Sequence, residues 1–170
     1  MLIPAAKVEP AGDFTVTVEG EQVRIPYRIY NPEPLDSAIE GLDGDTQHVL
    51  SCLYTRHHDG WVRQRHLRRV IRLTDPWVAP FVIKLVGEYV VELLIDIHEG
   101  LGGFDVEGSP QRLQHGRFVA ANPDFLDLTA RRVTSYWNCY YRGSYPDRTT
   151  YPGFQLIVGL RRAGTEQLIG

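Results

Sequence analysis

The sequence predicts a single, mainly α-helical domain of about five helices in an antiparallel helical-hairpin arrangement, with an N-terminal β-hairpin packed on it. Three observations lead there. Residues 14–30 alternate apolar and polar with period two, interrupted once at Glu19-Gly20-Glu21-Gln22. The motif Asp59-Gly60-Trp61-Val62 returns sixteen residues later as Asp75-Pro76-Trp77-Val78. Asn122-Pro123-Asp124 places a cap, a proline and an acid in the order in which helices begin.

Residues 14–30 make the hairpin. Phe14, Val16 and Val18 share one face, and Val23, Ile25, Tyr27 and Ile29 continue it on the second strand. Pro26 cannot donate a ladder hydrogen bond, so its nitrogen belongs at an edge. A two-stranded hairpin is marginal in water, and its apolar face must pack on the helices or on another chain. Residues 31–45 form a polar connector bearing Pro32, Pro34, Gly41 and Gly44.

Residues 46–98 are expected to be helical hairpins. Asp45 or Thr46 caps a helix to about Arg56, with Val49, Leu50, Leu53 and Tyr54 inward. Two further helices are expected at 60–73 and 76–98, each opened by an aspartate that complements the positive end of the helix dipole. The tight turn at Thr74-Asp75 makes them antiparallel neighbours. Residues 100–110 are a glycine-rich loop. Residues 111–162 hold the C-terminal helices: a short one over 111–121, one from Asn122 to about Tyr141, and a last one over 154–162. The expected helical core is Leu50, Leu53, Val62, Leu67, Val70, Val78, Val82, Leu85, Val86, Tyr89, Leu93, Val133 and Trp137.

The aspartate helix start followed by the Val62-Arg63 pair, inside stacked antiparallel helices, resembles HEAT-like α-helical repeats over residues 46–98. His66 stands where those repeats usually carry a small residue, and Ala79 where they carry the arginine. The resemblance implies helical stacking and, by analogy, a binding or scaffolding role.

Composition narrows the function classes. The 170 residues carry a net charge of −3, with 43% apolar and 23% charged residues. That is the profile of an ordinary globular domain, not of a disordered polyelectrolyte or a disulfide scaffold. Cys52 and Cys139 lie far apart in apolar stretches and are expected to be reduced, in or near the core. The first fourteen residues lack the basic-then-apolar shape of a secretory leader, so the cytoplasm is the default location. The apolar run 77–97 contains Lys84, Glu88, Glu92 and Asp96, which a membrane span would not tolerate. Sixteen arginines against two lysines read as the coding bias of a GC-rich bacterial genome.

Charge is polarised along the chain. Arg65, Arg68, Arg69 and Arg72 form a basic stripe on one expected helix, and Glu88, Glu92 and Asp96 an acidic stripe on the next. The two stripes either pair with each other on a solvated flank or serve as docking surfaces for a partner. Aromatics and arginines crowd the stretch 136–151, where Tyr136, Tyr141, Arg142, Tyr145, Arg148 and Tyr151 are of the types enriched at interface hot spots.

Reaction chemistry is poorly signalled. No Gly-x-Ser-x-Gly elbow occurs, and Gly100–Gly103 follows no strand and has acidic neighbours, so it is no phosphate cradle. His57-His58-Asp59 and Asp96-Ile97-His98-Glu99 have metal-ligand residue types, but adjacent histidines diverge by about 100° on a helix. No catalytic residue, metal ligand or cofactor is therefore assigned. The leading expectation is a non-enzymatic protein-interaction module, an adaptor, assembly factor or inhibitor-type partner. The alternatives are an enzyme with an acid/base site near Glu88, Glu92 and His98, and a nucleic-acid module using the arginine stripe. The net acidity argues against the last.

Overall fold

The computed structural model describes residues 12–101 and 104–169, which form a mainly helical domain with a two-stranded antiparallel hairpin against it. Strands β1 (Asp13–Val18) and β2 (Glu21–Pro26) pair with Phe14 opposite Ile25 and Val16 opposite Val23. The connecting Glu19 and Gly20 both have positive φ, 49° and 87°, the signature of the tight turn whose twist matches that of the strands. Phe14, Val16 and Ile25 are buried on this chain's own helices.

The attachment uses an amide. Asn122 Oδ1 accepts from the Thr17 backbone N–H at 2.8 Å, and Asn122 Nδ2 donates to the Thr17 carbonyl at 2.8 Å. Its side chain thus pairs with the free edge of β1 as a neighbouring strand would. Asn122 was expected to cap the following helix. It makes no capping bond, because its side-chain oxygen is taken by the Thr17 N–H and its amide nitrogen by the Thr17 and Phe118 carbonyls.

Eight α-helices follow among the described residues, not five. The connector carries a short α1 (Asp36–Glu40). Helix α2 spans Gly44–Tyr54, starting earlier than expected because Asp43 is its cap, accepting from Thr46 N–H at 3.0 Å. Helix α3 (Gly60–Val70) starts at Asp59, which accepts from Trp61 N–H at 2.7 Å.

The expected helix over 76–98 is broken. A 3-10 turn, Pro76–Val78, without a side-chain bond from Asp75, leads into α4 (Ala79–Val86). The chain then leaves the helix through 87–90 and resumes as α5 (Val91–Gly100). Gly87 costs helical stability, and the following valines lose side-chain freedom in a helix. The break frees Glu88 to turn inward, and α4, with all eight residues buried, becomes the centre of the domain.

Helices α6 (Pro110–Ala121), α7 (Pro123–Tyr136) and α8 (Pro152–Ile169) complete the fold. Helix α7 runs into a π-helical turn, Trp137–Tyr141. Helix α8 is twice the expected length because its second half lies along α6. Their axes come so close that a Cβ on Gly116 would stand 2.5 Å from the Ala163 carbonyl oxygen. Helix α4 touches α5, α6, α7 and α8, so the arrangement is a cross-braced cluster rather than a simple run of antiparallel hairpins. No described helix is long and apolar enough to cross a membrane.

Most of the expected core is buried, including Leu67, Val70, Val82, Leu85 and Leu93. Leu53 and Trp137 are only partly covered, and Tyr89 is exposed because it falls in the break between α4 and α5. Cys52 is buried, whereas Cys139, expected near the core, is at the surface of the π-turn.

Candidate functional site: an arginine-lined groove between α7 and α8

An open groove of about 890 Å³ lies between α7 and α8. On α7 its wall is Asp127, Ala130, Arg131 and Thr134, spaced by three and four residues and hence on one helical face. On α8 Phe154, Val158, Arg161 and Arg162 repeat that spacing. The 3-10 turn Arg148–Thr150 closes one end, held because Asp147 accepts from Thr149 N–H at 2.9 Å.

The floor is apolar, with Phe154 and Ile157 buried and Val158 half exposed. The rim is cationic. Arg161 reaches across to Asp127 at 3.2 Å, with both side chains exposed, so this pair adds little stability. The Arg148 guanidinium stacks 3.9 Å from the Phe154 ring centroid. Arg131, Arg148 and Arg162 have no carboxylate partner among the described residues. Four arginines against Asp105 and Asp127 give a positive groove on a protein of net charge −3.

The aromatic segment buttresses this region. Trp137 Nε1 donates to the Tyr145 carbonyl at 3.0 Å and its ring meets Phe154 edge-on. Tyr141 donates its hydroxyl proton to the Tyr89 carbonyl and accepts from Val91 N–H, tying the π-turn to the start of α5. Tyr151 is fully buried with its hydroxyl unpartnered, and burial pushes its phenol well above the usual range. It belongs to the core rather than to a contact surface. Tyr145 packs on it and is half covered, as is Tyr136. Arg142 is exposed, above the Trp137 ring. Of the candidate residues named in this stretch, Arg148 alone lines the groove.

The charged stripes meet only in part. Arg68 bonds Asp96 at 2.9 and 3.1 Å, and Gln64 donates to the same carboxylate. Arg65 instead pairs with Glu33, and Arg69 with Asp36 at 2.6 Å, because the connector folds over α3. Arg72 and Glu92 are exposed and make no ion pair among the described residues. Glu88 is on neither stripe. It is buried, and both its oxygens accept from Arg28 at 2.9 and 2.8 Å. Burial alone would raise its pKa, but the Arg28 hydrogen bond and charge, with Arg56 and Arg63, hold it below the ordinary carboxylate value.

The histidines are similarly occupied. His57 Nδ1 accepts from Asp59 N–H at 3.1 Å, and Nε2 lies 3.0 Å from the Asn31 carbonyl. His66 is fully buried against Glu33, and burial, with Arg69 beside it, brings its pKa down to about 4. No group of three or more potential metal ligands comes together among the described residues.

Sequence reasoning missed Arg131, Arg161 and Arg162. The signal was the three-four spacing on α7 and α8, but nothing local says that these two faces oppose each other. Neither a family model, a curated protein nor a solved structure matches this chain.

Proposed function

We propose that the chain is a non-enzymatic protein-interaction module that receives an acidic segment of a partner protein in the α7–α8 groove. The observation behind this reading is the set of three arginines without acidic partners standing over an apolar floor. Arginine forks bind carboxylates bidentately, and the exposed Val158 and the Phe154 edge offer area to an apolar anchor between acids. The resemblance of residues 46–98 to HEAT-like repeats is in keeping with a binding role.

The acid/base alternative is weaker. Glu88 has both oxygens engaged by arginine, and the chain break separates it from Glu92 and His98 on α5. The nucleic-acid alternative loses most of its stripe, since Arg65, Arg68 and Arg69 are already bonded to carboxylates.

The test is a fluorescence-anisotropy titration with a labelled peptide of alternating Asp/Glu and Leu/Phe, against a scrambled basic peptide and a single-stranded oligonucleotide. The acidic peptide should bind, and the double variant Arg131→Glu, Arg162→Glu should weaken it at least about tenfold. Circular dichroism should be unchanged, because both residues are exposed. Equal binding by the double variant, or preferential binding of the oligonucleotide, refutes the reading.

A further inference from the structure

A second concentration of cations is buried, on the far side of α7 from the groove. It is built by one short contact. After β2, Ile29 pairs in parallel with His57: Ile29 N–H donates to the Arg56 carbonyl at 2.9 Å, and His58 N–H donates to the Ile29 carbonyl at 3.0 Å. This sets Arg28 beside Arg56. Glu88, just past α4, then accepts from Arg28 and, at 3.4 Å, from Arg56. Arg63 enters from α3, donating to the His57 and His58 carbonyls at 2.9 Å each. Arg56 has no exposed surface and Arg63 only 2%. The Nε of each lacks a partner among the described residues.

Lys84 completes the cluster from α4. It is 4% exposed, and its ammonium stands 4.6 Å from the ring centroids of both Phe14 and Tyr27, and 5.7 Å from that of Phe125. Ring faces attract a cation but accept its three N–H bonds poorly. No oxygen accepts from it among the described residues, and 4% of the residue's surface stays exposed to solvent. Arg132 of α7 borders the same place, packed near Gly87 and without a carboxylate partner among the described residues. Burial first, then repulsion from Arg132, Arg56 and Arg28 against the attraction of Glu88, brings Lys84 down to about 7.

Four buried or half-buried cations with a fifth beside them, answered by one carboxylate among the described residues, are far from charge balance. Uncompensated buried charge is strongly destabilising and favours a bound counter-charge. A hydrogen-bonding anion at the Lys84 tip would supply both the missing acceptors and the missing charge. We propose that this cluster is a binding site for a small polyvalent oxyanion of the phosphate class, seated on the Lys84 ammonium with Arg28 and Arg132 at its edges. A polyvalent ion fits better than a single carboxylate, because Glu88 already supplies one negative charge and leaves most of the positive charge unanswered. The same chemistry can arrive as free phosphate or as a phosphate monoester.

The experiment is calorimetric titration of the full chain with inorganic phosphate at fixed ionic strength near neutral pH. The expected result is one saturable site. Lys84→Met should weaken it at least about tenfold, the loss of one charge-assisted hydrogen bond. Arg132→Gln should weaken it less while leaving the fold intact. The groove variant Arg131→Glu, Arg162→Glu should leave it unchanged, which separates failure here from failure of the peptide-binding reading. Sulfate, which carries no proton near neutral pH, should bind with proton uptake, seen as a buffer-dependent enthalpy, because a bound dianion raises the Lys84 pKa. Competition by glycerol phosphate identifies a monoester as the source, and its absence points to the free ion. The proposal is overturned by the absence of a saturable site, by equal affinity in Lys84→Met, or by loss of phosphate binding in the groove variant. If Lys84→Met does not fold, an unchanged affinity in Arg132→Gln together with no proton uptake overturns it.

Discussion

Replacing Glu88 by glutamine changes one atom and removes the only carboxylate, among the described residues, in a nest of guanidinium groups. Glutamine keeps one carbonyl oxygen but turns an NH2 toward the Arg28 Nη2 that now donates to both carboxylate oxygens. Breaking a buried ion pair on one side costs ~3–5 kcal/mol, chiefly because the remaining charge is left unpaired. Arg28 retains 27% of its side-chain exposure and can turn to water, whereas Arg56 retains none. We therefore expect about 3 kcal/mol, the low end of that range, and a fall in Tm of about 6–12 °C for a domain of this size. Urea denaturation measures it directly, as a shift in midpoint at unchanged slope. The pH dependence gives a second check. Glu88 has a depressed pKa in the folded protein, so its contribution is fully present above the ordinary carboxylate pKa and is lost as pH falls through the folded value. The gap between wild type and Glu88→Gln should therefore close in acid. A loss under about 1 kcal/mol at neutral pH, or a gap that persists below the carboxylate range, refutes the assignment of Glu88 as the counter-ion of Arg28 and Arg56.

Two further substitutions probe the frame around the sites. Gly116→Ala places a methyl 2.5 Å from the Ala163 carbonyl oxygen, a backbone atom that can move only with α8. We expect a loss of about 1–3 kcal/mol in urea melts, and an unchanged midpoint would mean that α6 and α8 lie further apart than described. Asn122→Ala removes two bonds to Thr17 and one to the Phe118 carbonyl. It should cost about 1–3 kcal/mol and raise the hydrogen-exchange rate of the Thr17 amide above that of its strand neighbours, an effect absent if the clip is not formed in solution.

Much of the architecture is visible in local pattern. The hairpin announces itself through alternation around Glu19-Gly20, and α3 and α7 start where Asp59 and Pro123 say they should. The break after Val86 is not visible, because Glu88, Glu92 and Asp96 keep a step of four straight through it. The step of four coincides with a helical repeat, while the arginines that hold Glu88 inward once the helix breaks, Arg28 and Arg56, lie sixty and thirty-two residues upstream. The same holds for the candidate sites. Arg131 and Arg162 each sit on a readable helical face, but the meeting of α7 with α8 is a long-range event. Arg56 carries no local sign of burial at all, since the Ile29–His57 pairing that covers it joins segments with no common pattern. Tyr151 misled in the opposite sense, as a residue type common at interfaces that here closes a core.

The clip between Thr17 and Asn122 spans 105 residues, and this sets an order of events during synthesis. The hairpin leaves the ribosome first, and at about 5–20 residues per second its anchoring amide follows some 5–20 seconds later. For that interval β1 has an unpaired edge and an uncovered apolar face, the state in which nascent strands find wrong partners. The outward face is accordingly polar: Asp13, Thr15 and Thr17 on one strand, Gln22 and Arg24 on the other, with Asp13 and Arg24 joined as an ion pair across them. Apart from the half-buried Thr17, these side chains lie in solvent and add little to the finished domain; they matter most to the unfinished one, where they keep the strand from wrong partners until its amide arrives.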